Sequence, residues 1–170
     1  MLEKIKFQVQ APTILDFLFH FLKEVLGIVV EEKTREESKK KEQKMLQAVL
    51  LAKQSPQSPQ LFSEQAIENF LIQKMSVYLA KMIVHDSSLS CLKPSLLAIG
   101  SIYVALKICE LLKRKELTTA ATIKNLITKS QMPEPEILAV SQQVLHLAQN
   151  FDKAFPQLDH LKISHFKLIT

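Results

Sequence analysis

The sequence predicts an all-α domain in which one buried central helix is surrounded by other helices. Two observations lead to this prediction. Residues 94–112 are apolar on nearly every side, and a helix of that kind has to be covered by other helices. Apolar residues before and after this stretch recur at three- and four-residue spacing, the period of an amphipathic helix. No two segments of alternating apolar and polar residues predict a convincing strand pair.

Length and composition set further bounds. A chain of 170 residues suffices for one domain with a hydrophobic core but not for two large ones, and its 47% hydrophobic residues exclude disorder throughout. The two glycines, Gly27 and Gly100, cannot form a phosphate-binding loop, which argues against a nucleotide-binding enzyme. Cys91 and Cys109 are predicted to be buried side chains in a reducing compartment. The N-terminal segment does not resemble a signal peptide, so we expect a cytosolic or nuclear protein.

The charge balance bears on possible partners. The net charge of +5, from 22 basic and 17 acidic residues, permits an acidic partner without requiring one. Nucleic-acid-binding proteins usually concentrate arginine in a basic stripe, and here the only arginines are Arg35 and Arg114. Nucleic acid is therefore not the expected partner.

The first elements are an extended lead-in and a helix. Residues 1–12 form the lead-in, with apolar and polar side chains in alternation. Pro12 and Thr13 predict the start of the helix, Asp16 suits the positive end of its dipole, and Gly27 predicts its end. His20 is predicted to be a solvated or capping side chain rather than a ligand. The apolar face of the helix consists of Ile14, Phe17, Leu18, Phe21, Leu22 and Val25.

An inserted charged helix and a proline loop follow, over about residues 29–62. Residues 31–44 contain five acids and six bases, and pairs such as Glu31–Arg35 favour a solvated helix. The alternative, an electrostatic docking segment, has this nearly balanced charge against it. Residues 54–60 form a polar proline loop, in which Ser55-Pro56 and Ser58-Pro59 have the local form that a proline-directed kinase accepts.

Two long helices are predicted next. Ser63 is the expected N-cap of the first, whose apolar stripe ends at His85–Asp86. Pro94 starts the second, the central helix. Its length approaches that of a membrane span, but charged residues leave only 13 uncharged positions from Pro94 to Leu106. Burial inside a helical bundle is the better interpretation, and no membrane is expected as a partner.

Two more helices and a tail complete the chain. Thr118 or Thr119 is predicted to cap a shorter helix, and Glu134 and Glu136 to open the last long one. The helical domain then covers residues 13–155, and residues 156–170 form an irregular tail.

No group of residues predicts a catalytic, metal or cofactor site, and no enzyme activity is expected. The segment His85-Asp86-Ser87-Ser88 holds the residue types of a hydrolase triad, but triad members meet from separated segments. This segment is predicted to be a loop at a helix end. His160 and His165 lack the further ligands of a zinc site. The methionines predicted to fill the core are Met45, Met75, Met82 and Met132.

Several blocks of the sequence, read in order, resemble the second repeat of the cyclin family. Cyclins open that repeat with an alternating apolar lead-in, an A/R-P-T motif and a helix with a Phe-Leu pair. They continue with a Y-L-x-E-L helix, an acid, a loop, and P-S-x-x-A-x-A at the start of the central helix. The matching blocks are spread over about two thirds of the chain: Ile5-Lys6-Phe7-Gln8-Val9-Gln10-Ala11-Pro12-Thr13, Asp16-Phe17-Leu18, Tyr78-Leu79-Ala80-Lys81-Met82, Asp86, Pro94-Ser95-Leu96-Leu97-Ala98 and Tyr103-Val104-Ala105-Leu106.

The resemblance implies a five-helix cyclin fold, with the charged helix inserted between its first and second helices. It also implies a non-catalytic domain of a regulatory subunit that binds and activates a cyclin-dependent protein kinase in cell-cycle control, in the nucleus, the cytoplasm or both. Two features depart from the family: the insert, where cyclins have a much shorter connection, and the pair Lys81-Met82, where the family's usual acid is missing and Glu is expected in place of Lys81.

The resemblance assigns no site residue to this chain. In cyclins the main kinase-binding surface and the substrate-recruiting patch lie mostly on the first repeat, whereas the whole chain resembles the second. The alternative is a stand-alone cyclin-fold adaptor, related in architecture to the repeats of transcription factor IIB, that binds protein or DNA in transcription.

Overall fold

The structure is a computed structural model that describes residues 11–27, 64–113 and 116–158. Regular structure within these ranges is helical throughout, which confirms the all-α prediction. The predicted insert, Ser63, residues 1–10 of the lead-in and residues 159–170 of the tail lie outside the described residues. In chain order the elements are α1 (Ile14–Leu26), α2 (Glu64–Ile83), α3 (Ser87–Ser90), α4 (Pro94–Lys113), α5 (Glu116–Ser130), α6 (Glu134–Ala154) and a 3-10 turn (Pro156–Leu158).

Helix α1 begins and ends at the residues that the sequence predicts. Thr13 Oγ1 accepts a hydrogen bond from the Asp16 backbone N–H at 3.3 Å, and the Thr13 N–H donates to Asp16 Oδ2 at 2.7 Å. This capping box satisfies backbone groups that the helix itself cannot pair. At the other end Gly27 adopts a left-handed conformation with φ 63°, and its N–H donates to the Lys23 carbonyl at 3.0 Å.

Helix α4 lies at the centre of the described bundle. It packs against α1, α2, α5 and α6, so four helices cover its sides. Its residues with no exposed surface are Leu97, Ala98, Ile99, Ile102, Ala105 and the polar Ser101. Toward its C-terminus this cover ends: Leu111, which the sequence places in the apolar stretch, is 80% exposed.

The same helix passes the length and composition test for a membrane span. Among the described residues it is the one helix that does so, over Pro94–Leu111, and 61% of that stretch is buried inside the protein. This degree of burial is typical of the central helix of a bundle.

Small residues let α4 and α6 approach closely. A Cβ atom added to Gly100 would lie 3.0 Å from Cγ1 of Val140, closer than side chains normally pack. Beside this contact the hydroxyls of Ser101 and Ser141 are buried, and each donates to the carbonyl four residues earlier in its own helix, at 2.9 Å and 2.7 Å. The hydroxyls are therefore satisfied without partners across the interface, which leaves the contact between the helices apolar.

Enlarging a small residue on α4 is expected to destabilise the fold. Ala98 and Ala105 have no exposed surface, so a leucine at either position has to displace its neighbours. We expect Ala98→Leu and Ala105→Leu each to lower the free energy of unfolding by about 1–3 kcal/mol through overpacking. Thermal unfolding followed by circular dichroism measures this loss, and unchanged midpoints for both variants would contradict the packing described here.

The structure corrects several local predictions. Helix α2 ends at Ile83 rather than at His85–Asp86, and the next residues form a turn that leads into the short helix α3 instead of a loop. Helix α5 begins at Glu116, so Thr118 and Thr119 lie inside it rather than at its cap. Of the two cysteines predicted to be buried, Cys109 is buried but Cys91 is exposed.

Candidate interaction groove

An open groove lies between the short helix α3 and one face of α6. Its volume is about 530 Å³, and its described lining combines apolar side chains, polar side chains and the acidic Asp86. Of the lining residues, Leu89 and Leu147 are buried and belong to the hydrophobic core. We call this feature the α3–α6 groove; it is lined by Asp86, Ser88, Leu89, Ala139, Gln142, Gln143, His146, Leu147, Asn150 and Ala154.

Asp86 holds the α3 side of the groove in place. Its Oδ1 accepts hydrogen bonds from the backbone N–H groups of Ser88 at 2.9 Å and Leu89 at 3.0 Å, and from the Ser88 hydroxyl. Asp86 is thus the N-cap of α3. The Ser88 hydroxyl bond, followed by the Leu89 N–H bond, lowers the pKa of this carboxyl below its usual range, so the groove carries a carboxylate at neutral pH.

The α6 side of the groove carries a row of polar side chains. Gln142, Gln143, His146 and Asn150 recur at the spacing that puts residues on one helix face. The Asn150 side-chain amide donates to the His146 carbonyl at 3.0 Å, which leaves its oxygen as an acceptor. Neither glutamine makes a side-chain hydrogen bond to another described residue. This wall therefore offers both donors and acceptors to a bound molecule.

An aromatic cluster lies beside the groove, at the turn between α2 and α3. The ring of His85 lies 6.4 Å from that of Phe151 and 6.4 Å from that of Phe155, and the two phenylalanine rings are 5.0 Å apart. Phe151 is buried, whereas His85 is exposed. Because His85 precedes Asp86 in the chain and Phe151 follows Asn150, these contacts fix the distance between the two sides of the groove.

The structure gives the triad-like residues separate structural roles. The Asp86 carboxylate caps α3, whereas the His85 ring packs on phenylalanines, so the acid does not orient the histidine. Ser88 donates to Asp86. Across residues 11–27, 64–113 and 116–158, no three His, Cys, Asp or Glu side chains cluster as metal ligands would. His160 and His165 lie outside those ranges, and His20 is exposed beside Phe21.

The methionines and Cys109 that the structure describes lie in the core or against it. Met75 and Met82 are buried and Met132 is half-buried against the core, while Met45 is outside the described residues. The Cys109 thiol is buried in the core, where it donates a weak hydrogen bond to the Met75 sulfur at 3.9 Å.

The low pKa of Asp86 predicts a specific acid sensitivity. A carboxyl whose pKa falls on folding contributes stability that is complete above its unfolded pKa, near 3.8, and lost as the pH falls below that value. Asp86→Asn keeps a side-chain oxygen for the cap but does not titrate. We expect the variant to lose less stability than the wild type between about pH 5 and about pH 3, as measured by urea unfolding. Equal losses would show that this carboxylate contributes nothing to acid unfolding.

Comparison with known proteins adds no relative. None of the protein-family models, curated proteins or solved structures gives a significant match to this chain.

Proposed function

We propose that this chain is a cyclin C-terminal-type domain, the non-catalytic part of a regulatory subunit that binds and activates a cyclin-dependent protein kinase in cell-cycle control. The observation that carries the proposal is the buried helix α4 with four helices around it, which begins at the Pro94-Ser95 of the cyclin-like motif. A five-helix fold built around one buried helix is what the resemblance implies.

The residues of the cyclin-like blocks support the proposal because several of them meet specific structural demands. Thr13 caps α1, Ala98 is fully buried on α4, and Tyr78 and Leu79 of α2 are buried in the core. Asp86, the acid that follows the Y-L motif, caps α3. The match therefore includes positions where capping or packing restricts the residue type.

In this proposal the domain orients a first cyclin repeat, which makes the main contact with the kinase. Its place of action is then the nucleus, the cytoplasm or both. No cofactor is needed for such a role, and no residue of this chain is assigned to kinase contact.

The test uses the native protein, captured through an epitope tag from its source cells. We expect the captured sample to transfer phosphate from ATP to a peptide with a Ser-Pro site. The same capture with Leu97→Ala, a change in the centre of α4, is expected to lose this activity, whereas Leu111→Ala, at an exposed position of the same helix, is expected to keep it. Absence of kinase activity with the wild-type protein would refute the proposal.

The intact mass of the captured protein separates this proposal from the adaptor hypothesis. A mass above 19.4 kDa by at least another domain of about 100 residues favours a kinase regulator with a first repeat. A mass of 19.4 kDa without kinase activity favours a stand-alone cyclin-fold adaptor. The α3–α6 groove, with its row of polar side chains on α6, supports an adaptor that binds protein. For an adaptor that binds DNA, we would expect affinity for duplex DNA that falls steeply with salt.

A further inference from the structure

We propose that the α3–α6 groove binds an extended polypeptide segment of a partner protein, with a basic side chain of that segment against Asp86. The inference is independent of the kinase proposal, because it uses only the lining of the groove. It holds for a kinase regulator and for an adaptor alike.

The dimensions of the groove fit a short extended segment. Ala139 and Ala154 line it near opposite ends of α6, and with a rise of about 1.5 Å per residue the helix between them is about 22 Å long. An extended chain rises about 3.3 Å per residue, so six or seven residues match this length. Both of these lining residues are alanines, whose side chains are small.

The polar wall favours an extended segment over a helical one. A bound helix has already paired its own backbone N–H and C=O groups, so it would present its side chains to the groove and needs a broad apolar surface. An extended segment presents unpaired backbone groups, and glutamine and asparagine amides can both donate to and accept from them. The row Gln142, Gln143, Asn150 suits this second kind of partner.

The carboxylate of Asp86 favours a basic side chain at one position of the bound segment. Among the lining residues that the structure describes, Asp86 is the only acidic one, and none is a lysine or an arginine. The hydrogen bonds that its carboxylate accepts from described residues all go to Oδ1, so Oδ2 keeps its capacity to accept. A lysine or arginine of the partner would form a charge-assisted hydrogen bond there, stronger than a neutral one.

The test selects ligands with a phage-displayed library of random heptapeptides on the full chain. We expect the enriched peptides to contain a lysine or arginine, and their dissociation constants are measured by isothermal titration calorimetry. Asp86→Asn is expected to weaken binding about tenfold, because it removes the charge while asparagine still caps α3. Gln143→Ala is expected to weaken binding as well, by removing one amide from the wall.

The matched control is Gln149→Ala, which changes an exposed amide of α6 outside the groove and is expected to leave binding unchanged. Urea unfolding of each variant shows whether the fold is retained. The inference is overturned if no peptide is enriched, or if enriched peptides bind Asp86→Asn and Gln143→Ala as tightly as the wild type. Peptides that become helical on binding, with apolar residues three and four apart, would also overturn it. None of these outcomes depends on the kinase assay.

Discussion

Phe151→Ala is expected to lower the free energy of unfolding by about 3–5 kcal/mol. Phe151 is 3% exposed and belongs to the hydrophobic core, where its ring also contacts His85 and Phe155. Alanine removes the ring and leaves a cavity that the neighbouring helices fill only in part. The free-energy cost of the cavity is therefore added to the cost of losing the buried apolar surface. The measurement is urea unfolding followed by circular dichroism.

Leu145→Ala is the control for Phe151→Ala. It also shortens an apolar side chain of α6, but 39% of Leu145 is exposed. Because part of its surface is already in water, we expect a loss below about 1 kcal/mol. If the two variants unfolded at the same urea concentration, α6 would not pack through Phe151. Loss of the aromatic cluster is also expected to loosen the α3–α6 groove, so Phe151→Ala should bind the selected heptapeptides less tightly.

Leu97→Ala is expected to lower the free energy of unfolding by about 2–5 kcal/mol. Leu97 has no exposed surface on a helix that four others cover, so little room remains for the neighbours to collapse into the cavity. Small domains have free energies of unfolding of about 5–15 kcal/mol, and the variant is therefore expected to lose a large fraction of its stability. The same unfolding experiment measures it.

Leu111→Ala tests whether this loss comes from burial. The residue type and the helix are the same, but Leu111 is 80% exposed, and surface changes usually fall within about 0.5 kcal/mol. A large loss of stability for Leu111→Ala would mean that Leu111 is buried, in contradiction to the structure. A small loss for Leu97→Ala would mean that α4 is not central.

The termini of α1 could be predicted because they depend on local chemistry. Thr13 and Asp16 form a capping box within one turn, and Gly27 adopts a conformation that costs other residues free energy. The starts of α4 at Pro94 and of α6 at Glu134 were predicted for the same reason, since proline and the first-turn acids act on the helix that contains them.

The errors concern features that local signals describe poorly. Helix α3 has only four residues, too few to show a period of apolar positions, and its signal was the N-cap Asp86 followed by Ser87 and Ser88. Cys91 was predicted to be buried from its residue type, yet it ends this short surface helix and is exposed. The threonines near the start of α5 suit a cap by type, but the helix begins before them.

The α3–α6 groove was not predicted at all. Asp86 and Asn150 lie 64 positions apart in the chain, and nothing in the pattern around either residue points to the other. A weak signal was present in α6, where Gln142, Gln143, His146 and Asn150 form a polar stripe without Asp, Glu, Lys or Arg, on a helix whose other exposed positions include such residues. The groove could not be inferred from it, because a polar stripe is also what a solvated helix face shows.

The all-α class, most of the helix ends and the apolar nature of α4 follow from the sequence alone, because these features depend on caps, turns and periodicity over a few residues. The tertiary structure decided which apolar residues are covered: Leu97 and Leu111 lie about four turns apart on one helix, yet one has no exposed surface and the other is 80% exposed. It also decided that α3 and one face of α6 lie on opposite sides of a groove. Both outcomes depend on how helices distant in the chain pack, and the periodicity within a single helix contains no information about its neighbours.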